Sequence, residues 1–269
     1  SLRVSLTTDS ACLRLAGDAF ALWDRRTDER RYRRQRAGIE QVLALPGGCA
    51  VRFGGRVELH AAAAAPRPLA TEVTAMARVD ERLLLADDQG VGIFEPSGLD
   101  RARLPVGAGA TALTLLAAAA DEQLAIGYGD GTVEVADLTA GGRGRNLSLD
   151  KVASCPVVAL RPGPRGTLVI AYANGLIGLW EVRSGARLDA IRLHGPLAHT
   201  ALHAGKLYVV TELGDHLAWD LSILDCAYCS LLERVWRRVP VVWEGGRPVA
   251  RPRPADHACG RAGASPARR

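Results

Sequence analysis

Four residues near the C-terminus have the types and spacing of a metal-binding set. Cys226 and Cys229 form a Cys-x₂-Cys pair, and His257 and Cys259 form a His-x-Cys pair further along the chain. Thiolate and imidazole are the donors that Zn²⁺ prefers in tetrahedral structural sites. Four protein ligands leave no open position for a substrate, so such a site would stabilise the chain rather than catalyse. The sequence predicts a structural Zn²⁺ bound by Cys226, Cys229, His257 and Cys259.

Two other interpretations of these residues stay open. Cys226 and Cys229 could form a redox-active pair, because Cys-x₂-Cys is also the spacing of redox motifs. The set could also be three reduced thiols and an unrelated histidine, since His-x-Cys is a less common ligand spacing than Cys-x₂-Cys. The position of the four residues favours the zinc interpretation. They lie in a short segment with little hydrophobic core of its own, which needs a crosslink or a bound metal to be stable.

The segment that carries these residues, 223–260, has a pattern unlike the rest of the chain. Five apolar residues from Ser230 onward are spaced as one face of a helix, and Pro240 ends that pattern: Leu231, Leu232, Val235, Trp236 and Val239. Residues 241–249 then have the pattern of a β-hairpin that turns at Glu244-Gly245-Gly246. Residues 261–269 are predicted to be disordered.

Positive charge is concentrated in the same part of the chain. The net charge is +5, and residues 222–269 hold nine Arg against four acidic residues, while the preceding residues balance to zero. This distribution predicts a second possible function, nucleic-acid binding through the tail. The side chains expected to contact phosphates are Arg234, Arg237, Arg238, Arg247, Arg251 and Arg253.

Three other patterns are predicted to be structural. Residues 25–36 contain seven Arg but one Tyr, which is typical of a solvated outer strand and offers little support for base stacking. The Gly-bearing segment 128–131 is followed by a strand pattern and by no Lys, so it is predicted to be a hairpin turn rather than a phosphate-binding loop. His194, His199 and His203 lie in a strand-like segment, where positions four apart do not come together.

The rest of the sequence repeats a unit of about forty residues. The best-formed copy, residues 157–193, has four short β-type runs separated by turns, and Asn174-Gly175 in it predicts a type I′ hairpin. Six copies align on a third run that mostly ends in a large residue followed by an acid. The six anchor positions are Trp23, His60, Phe94, Ala136, Trp180 and Trp219.

The residues at three of these anchors give the chain a resemblance to a known family. Trp23-Asp24 and Trp219-Asp220 are the Trp-Asp dipeptide of WD40 repeats, and Trp180-Glu181 is a near copy. Over about residues 1–222 the chain therefore resembles a divergent WD40-type β-propeller, in which the family's Gly-His pair is absent. The tail resembles no family that we recognise. The resemblance implies a module that presents its faces to protein or peptide partners.

The fold expected from the repeats is all-β, a closed six-bladed propeller of four-stranded blades with a helix-plus-hairpin appendage. The expected blades are residues 2–36, 37–69, 70–107, 108–149, 150–194 and 195–222. The last blade lacks an obvious fourth strand, and we expect residues 239–243 of the tail hairpin, or an N-terminal strand, to supply it. Closure is favoured because an open ring leaves strand edges unpaired.

The expected function is that of a non-catalytic interaction or sensor module. The sequence contains no nucleophile-elbow motif and no paired carboxylates in a catalytic context. It also contains no run of eighteen apolar residues, the length needed to span a membrane. Cys12, Cys49 and Cys155 are expected to be free thiols, which predicts a cytoplasmic protein. Because the chain starts at Ser1 and not at Met, it is expected to be the C-terminal part of a larger bacterial signalling or defence protein with upstream domains.

Overall fold

A computed structural model describes residues 3–15, 18–61, 64–95, 100–105, 112–118, 123–138, 147–149, 151–251 and 259. In these residues the chain forms six antiparallel sheets in sequence order, followed by one α-helix and a hairpin. Each of the first five sheets has four strands, and the sixth has three. The structure therefore contains five complete propeller blades. The prediction of six four-stranded blades is wrong for the last one.

The strands follow one another in up-and-down order within each sheet. Sheet one consists of β1 (Arg3–Leu6), β2 (Ser10–Leu15), β3 (Ala19–Asp24) and β4 (Glu29–Gln35). Sheet two consists of β5 (Ile39–Leu45), β6 (Gly48–Phe53), β7 (Arg56–Ala61) and β8 (Arg67–Ala70). Sheet three consists of β9 (Ala75–Val79), β10 (Arg82–Asp87), β11 (Gly90–Phe94) and β12 (Asp100–Leu104). Sheet four consists of β13 (Ala112–Ala118), β14 (Gln123–Tyr128), β15 (Val133–Asp137) and β16 (Leu147–Ser148). Sheet five consists of β17 (Val157–Pro162), β18 (Thr167–Tyr172), β19 (Leu176–Glu181) and β20 (Arg187–Arg192). Sheet six consists of β21 (Leu197–His203), β22 (Lys206–Thr211) and β23 (His216–Asp220).

Neither segment expected to complete sheet six does so in the described residues. The tail hairpin consists of β24 (Val241–Glu244) and β25 (Arg247–Ala250), which pair with each other. The N-terminal strand β1 pairs with β2 inside sheet one. The chain after β23 does not turn back as a strand, because Leu221 leads into a 3-10 turn, Ser222–Asp225, and then into the helix.

The turn of the best-formed repeat differs from the expected type. The amide of Gly175 donates to the carbonyl oxygen of Tyr172 at 3.1 Å. Gly175 has a φ of 79° while Asn174 keeps a negative φ, so this is a type I turn followed by a left-handed glycine, not a type I′ turn. A side chain at Gly175 would also clash, since a Cβ there would lie 2.5 Å from the carbonyl oxygen of Leu193.

Apolar clusters join consecutive sheets. The first contains Phe20 and Leu22 of sheet one with Ile39 and Val51 of sheet two, and four similar clusters join sheets two to three, three to four, four to five and five to six. Removing this apolar surface from water stabilises the stack by about 25 cal/mol per Å². Within the described ranges no such cluster joins sheet six to sheet one, so these residues do not show the closed ring that the repeats predicted.

The anchor residue of a sheet packs on the sheet before it. The ring of His60 in sheet two meets the edge of Phe20 in sheet one at a centroid distance of 4.7 Å. Trp180 in sheet five belongs to the cluster that contains Val135 of sheet four. Trp23 in sheet one has no sheet before it in the described chain. It is half-buried, and its indole N–H donates to Asp28 at 3.0 Å.

Two cysteines predicted to be free thiols are bonded to each other. Cys12 in β2 and Cys49 in β6 form a disulfide with Cα atoms 6.0 Å apart, and both side chains are buried. The expectation of free thiols was wrong for these two residues. Strand alternation places Cys12 on the face of sheet one that packs against sheet two. Cys49 lies beside His60 on the face of sheet two that packs against sheet one. Cys155 is a free thiol, as predicted.

After sheet six the chain forms the helix that the sequence predicts. Helix α1 (Tyr228–Arg238) begins two residues before Ser230, and Val239 follows it directly before Pro240. No residue of α1 is fully buried. The predicted apolar stripe is only partly covered, since Val235 is 46% exposed and Val239 is 53% exposed. The helix and hairpin therefore form an appendage with an apolar face that the described chain leaves open to solvent.

Candidate functional site

The structure brings together two of the four predicted zinc ligands. Cys229 at the start of α1 and Cys259 form a disulfide with Cα atoms 5.1 Å apart. Cys226 is a half-buried free thiol that lies 3.8 Å from the carbonyl oxygen of Ser222. His257 lies outside the described residues. In the part of the chain that the structure describes, no three metal-ligating side chains form a group.

The disulfide and the predicted zinc site are alternative states of the same cysteines. A sulfur engaged in a disulfide is not a thiolate, and thiolate is the form that binds Zn²⁺. The Cys229–Cys259 bond therefore represents an oxidised state in which these two residues are unavailable as ligands. The redox interpretation had paired Cys226 with Cys229, whereas the structure pairs Cys229 with Cys259. The zinc set stays a prediction for the reduced chain.

The arginines of the tail lie on the surface. Arg234, Arg237 and Arg238 are exposed on α1, and Arg247 is exposed in the hairpin. Arg251 is already paired, since its guanidinium lies 2.5 Å from Glu244. Arg253 lies outside the described residues. The positive charge of Arg234 helps to lower the pKa of Asp220 in sheet six, and all three guanidinium groups on α1 are accessible to an anionic partner.

The arginine-rich segment 25–36 is an outer strand, as predicted. Most of its arginines are exposed along β4, and Arg31 forms a salt bridge with Asp24 at 2.8 Å. Its single aromatic residue, Tyr32, packs inward against Phe20 and His60. It is therefore not available as a platform on which a base could stack.

The other two structural interpretations also agree with the geometry. Residues Tyr128 and Gly131 lie in the hairpin between β14 and β15, where the amide of Gly131 donates to the carbonyl oxygen of Tyr128 at 3.2 Å. His199 and His203 lie four positions apart on β21, so their Cα atoms are about 13 Å apart at the rise of a strand. His194 lies before the strand, and these described histidines form no metal-binding group.

A buried polar network between sheets one and two was missed by sequence reasoning. His60 is 2% exposed. Its Nδ1 atom lies 3.4 Å from the hydroxyl oxygen of Tyr32. Its Nε2 atom lies 3.2 Å from the carboxylate of Glu58, but the two groups are not aligned for a hydrogen bond. Glu58 in turn accepts a hydrogen bond from Arg36 at 2.8 Å, and the Arg36 guanidinium lies 4.0 Å from the centre of the Phe53 ring. The only sequence signal was a histidine at an anchor position otherwise mostly occupied by large apolar residues.

Burial controls the charge of this histidine. Loss of water around the imidazole lowers the pKa of His60 below its ordinary value of 6.5, although the nearby Glu58 carboxylate acts in the opposite direction. The guanidinium groups of Arg34 and Arg36 lower the pKa further. Burial therefore favours the neutral form of His60 in the interface between the two sheets.

A small cavity lies beside this network. It has a volume of about 290 Å³ and is lined mainly by apolar groups, with His60 and Arg67 among its polar neighbours. That volume is near the lower limit of about 300 Å³ for small-molecule pockets. Ala62 and Ala63, which connect β7 to β8, lie outside the described residues, so we assign the cavity no ligand.

The largest departure from the repeat is sheet six itself. Its β22 alternates strictly between buried and exposed side chains, with Leu207, Val209 and Thr211 buried against sheet five. On the opposite side Tyr208 is 43% exposed and Val210 is 41% exposed. One face of this sheet and the outer edge of β23 are therefore without a partner in the described residues.

Comparisons with known proteins identify the fold and no more. No family model matches the chain, and no curated protein matches it. Among solved structures, the computationally designed Ika8 protein matches with a TM-score of 0.62 at 16% identity, over 82% of this chain and 71% of its own. KlHsv2, with loop 6CD replaced by a Gly-Ser linker, matches with a TM-score of 0.61 at 10% identity, over 78% of this chain and 74% of its own.

Raptor of Chaetomium thermophilum matches with a TM-score of 0.60 at 17% identity, over 78% of this chain. This chain spans only 23% of Raptor. Identities this low show a shared architecture and carry no partner or activity from one protein to another. The chain is thus a β-propeller-type protein with five complete blades, and the WD40 relationship remains a resemblance.

Proposed function

We propose that this chain is a non-catalytic protein-interaction module. The observation that carries the proposal is the exposure of apolar side chains on the two end faces of the stack of sheets. β-Propellers commonly serve as interaction modules, and the fold agrees with that use. Contiguous exposed apolar surface on a folded protein is typical of sites that contact another protein.

The end face of sheet six is its side turned away from sheet five. Strand register places Tyr208 between Ala201 and Ala218 on this face. Val210 occupies the next row, between His199 and His216. The face thus combines an aromatic and an aliphatic side chain with a polar border, which is the composition of protein interfaces.

The end face of sheet one is its side turned away from sheet two. Ser5 accepts a hydrogen bond from the Ala44 amide of sheet two at 2.9 Å, so its neighbours Val4 and Leu6 point to the opposite side. They are 51% and 50% exposed. Trp23 lies on the same side, next to Ala11 in the register, and is half-buried.

Exposed large apolar side chains concentrate at the ends of the chain. Among the described residues, Val158 and Leu188 are the only ones in the middle sheets, and both belong to sheet five. The rest lie on the two end faces, in the loop after β22 or in the appendage. This distribution favours partner binding at the ends over a general surface property.

The test uses two valines with nearly equal exposure. Val210→Lys changes the end face of sheet six, and Val158→Lys is the matched control, since the two residues are 41% and 40% exposed. A protein captured from the source cell should be identified by mass spectrometry and bound again as a purified protein. We expect Val210→Lys to weaken that binding at least tenfold and Val158→Lys to leave it unchanged. Capture of nucleic acid alone, or equal binding by both variants, contradicts the proposal.

The wider context belongs to the same proposal. We propose that the chain serves as the interaction part of a larger bacterial signalling or defence protein, with a protein or peptide partner on a propeller face. Sequencing of the complete reading frame around Ser1 tests this directly. Among the described helices, none has the length and apolar character needed to cross a membrane.

Nucleic-acid binding by the tail is a second candidate, favoured by the exposed arginines of α1. Several phosphate contacts would make affinity fall steeply with salt. Binding of a random double-stranded DNA should be measured at about 50 and about 200 mM salt, with Arg234→Gln, Arg237→Gln and Arg238→Gln combined as the test variant. A steep slope that the triple variant reduces supports this candidate. A flat response contradicts it.

The cysteines bear on the compartment. Two disulfides in the described residues favour an oxidising environment, whereas the cytoplasmic location was predicted from free thiols. Alkylation of the protein in its source cell, before lysis, counts the thiols that are free in place. Two modified cysteines would agree with the bonded state. Six would agree with a reduced chain without zinc, and three with a reduced chain whose tail cysteines bind zinc.

A further inference from the structure

We propose that the outer edge of β23 binds an extended segment of a partner protein, which adds to sheet six as its fourth strand. This inference rests on the proposed interaction function and names the kind of partner. It concerns the edge of the sheet rather than its exposed face.

The position of a fourth strand is filled in every other sheet. In sheet five, β20 pairs along the whole of β19 and covers its outer edge. In sheet six, β23 pairs with β22 on one side and has no strand on the other within the described residues. An uncovered edge presents unpaired backbone N–H and C=O groups, which are the groups that an added strand recognises.

The hydrogen-bond pattern shows which groups of β23 point outward. The amide of Leu221 donates to Gly205, and the amide of Thr211 donates to Asp215. Because antiparallel pairs alternate, residues 215, 217, 219 and 221 bond inward to β22. The N–H and C=O groups of His216, Ala218 and Asp220 therefore point to the open edge.

Side-chain burial also marks a missing strand. Trp219 and Trp180 hold the same position in the third strands of sheets six and five. Trp180, whose sheet has a fourth strand, is 0% exposed, while Trp219 is only half-buried. Leu217, on the same side of β23 as Trp219, is half-buried too. A fourth strand would cover both.

The residues of sheet five that face the open position determine which side chains the added strand needs. Ile191 of β20 lies opposite Ile177 in the register and shares its face. Ile177 packs against Leu207 and Val209 of sheet six. Asp189, opposite Leu179 in the register, lies on the same face of β20. A strand added to β23 would continue this interface, so it needs an apolar side chain over Ile191, and a polar or basic one fits near Asp189. On the other side it would lie beside His216, Ala218 and Asp220, where polar residues fit.

The occupant is a partner segment rather than a second copy of the chain or its own hairpin. The face of β20 that carries Ile191 is turned toward sheet six. A second copy that paired edge to edge through β23 would bring its own fifth sheet to that side. The hairpin strands β24 and β25 satisfy each other. A single extended segment is the structure that fits above β20 without a further sheet beneath it.

The first experiment measures whether the edge accepts a strand. The probe is a synthetic peptide of residues 185–194, which contains the fourth strand of sheet five. The control peptide has the same sequence with backbone N-methylation at alternate residues, which blocks strand pairing. Calorimetric titration should show saturable binding of the first peptide and at least tenfold weaker binding of the second. Absence of saturable binding, or equal binding of both, overturns the proposal.

The protein variants act at one position. Ala218→Pro removes an outward N–H without removing a bond to β22, whereas Ala218→Val keeps that N–H. We expect Ala218→Pro to lose at least tenfold in peptide affinity and Ala218→Val to retain it. Circular dichroism and the urea midpoint confirm that both variants fold. If Ala218→Pro does not fold, N-methylation of the peptide alone decides the outcome.

Two further measurements separate this inference from the proposed function. A protein partner that binds Ala218→Pro and Ala218→Val equally well leaves the interaction function standing and overturns the strand. Hydrogen exchange in the isolated chain should be fast at His216, Ala218 and Asp220. Protection of these amides would mean that the edge is filled by the chain's own residues or by a second copy of the chain, and it would overturn the proposal. Light scattering would distinguish a monomer from a dimer.

Discussion

Trp180 and Trp219 occupy matching positions in consecutive sheets, yet the first is fully buried and the second is not. Both point toward the sheet before their own, Trp180 into the cluster with sheet four and Trp219 into the cluster with sheet five. The difference follows from the strands around them. Trp180 has β20 beside it, and Trp219 has an open edge.

We therefore expect the two tryptophans to differ in their contribution to stability. Trp180→Ala should lower the free energy of unfolding by about 3–5 kcal/mol, because it removes a fully buried aromatic side chain and leaves a cavity. Trp219→Ala should cost clearly less, since its indole already meets water. Urea denaturation of the two variants gives the comparison. Equal losses would mean that Trp219 is covered in solution.

The disulfide between sheets one and two is expected to stabilise the protein. Replacing both Cys12 and Cys49 with Ala should lower the free energy of unfolding by about 2–4 kcal/mol, because the bond restricts the unfolded chain between residues 37 positions apart. The measurement is urea denaturation under non-reducing conditions. Cys155→Ala is the matched control and should have a smaller effect. An unchanged midpoint in the double variant would show that this bond is absent in solution.

Much of the architecture could be predicted from the repeat. All six anchor positions lie in the third strands of their sheets. At four of them, His60, Phe94, Trp180 and Trp219, a large side chain fills the space against the preceding sheet. Helix α1 and its stop before Pro240 were predicted from apolar spacing and from the missing N–H of proline.

What the sequence left undetermined are relationships between distant residues. The Cys12–Cys49 bond depends on which face each cysteine takes after two strands pair, and a shift of one residue would separate them. The open edge of β23 was expected to be filled by the tail or by an N-terminal strand. Nothing in the local pattern of residues 241–250 tells whether this hairpin pairs with itself or with β23. The His60 network was missed because one histidine in a strand pattern has no distinctive spacing.

The buried His60 should make stability depend on pH. Its pKa is lowered in the folded chain, so between the two pKa values the unfolded chain binds a proton that the folded chain does not. The contribution of neutral His60 is fully present above pH 6.5, the ordinary value. It is lost progressively as the pH falls below that value, by at most about 1.4 kcal/mol per pH unit.

Urea midpoints measured between about pH 7.5 and about pH 5 test this dependence. The matched variant is His60→Gln, which keeps a polar side chain and cannot take up a proton in this range. We expect its stability to change less with pH than that of the natural protein. A pH dependence of the same size in both proteins would place the responsible group elsewhere.

The predicted zinc site can be tested through the redox state of the tail. Oxidised protein, in which Cys229 and Cys259 are bonded, should bind no Zn²⁺ at this site, because two of its four ligands are not thiolates. After reduction and exposure to zinc, we expect about one Zn²⁺ per chain, bound by Cys226, Cys229, His257 and Cys259. Metal should be lost at low pH as the thiolates take up protons.

Cys226→Ser is the decisive variant because Cys226 is outside the disulfide. The substitution removes one predicted ligand and leaves the Cys229–Cys259 bond possible. The oxidised variant should therefore match the oxidised natural protein in stability. The reduced variant should bind zinc at least tenfold more weakly than the reduced natural protein. Cys155→Ser is the control, since Cys155 lies before β17 and outside the tail. If reduced natural protein binds no zinc, or if Cys226→Ser binds it equally well, the tail cysteines form a disulfide and not a metal site.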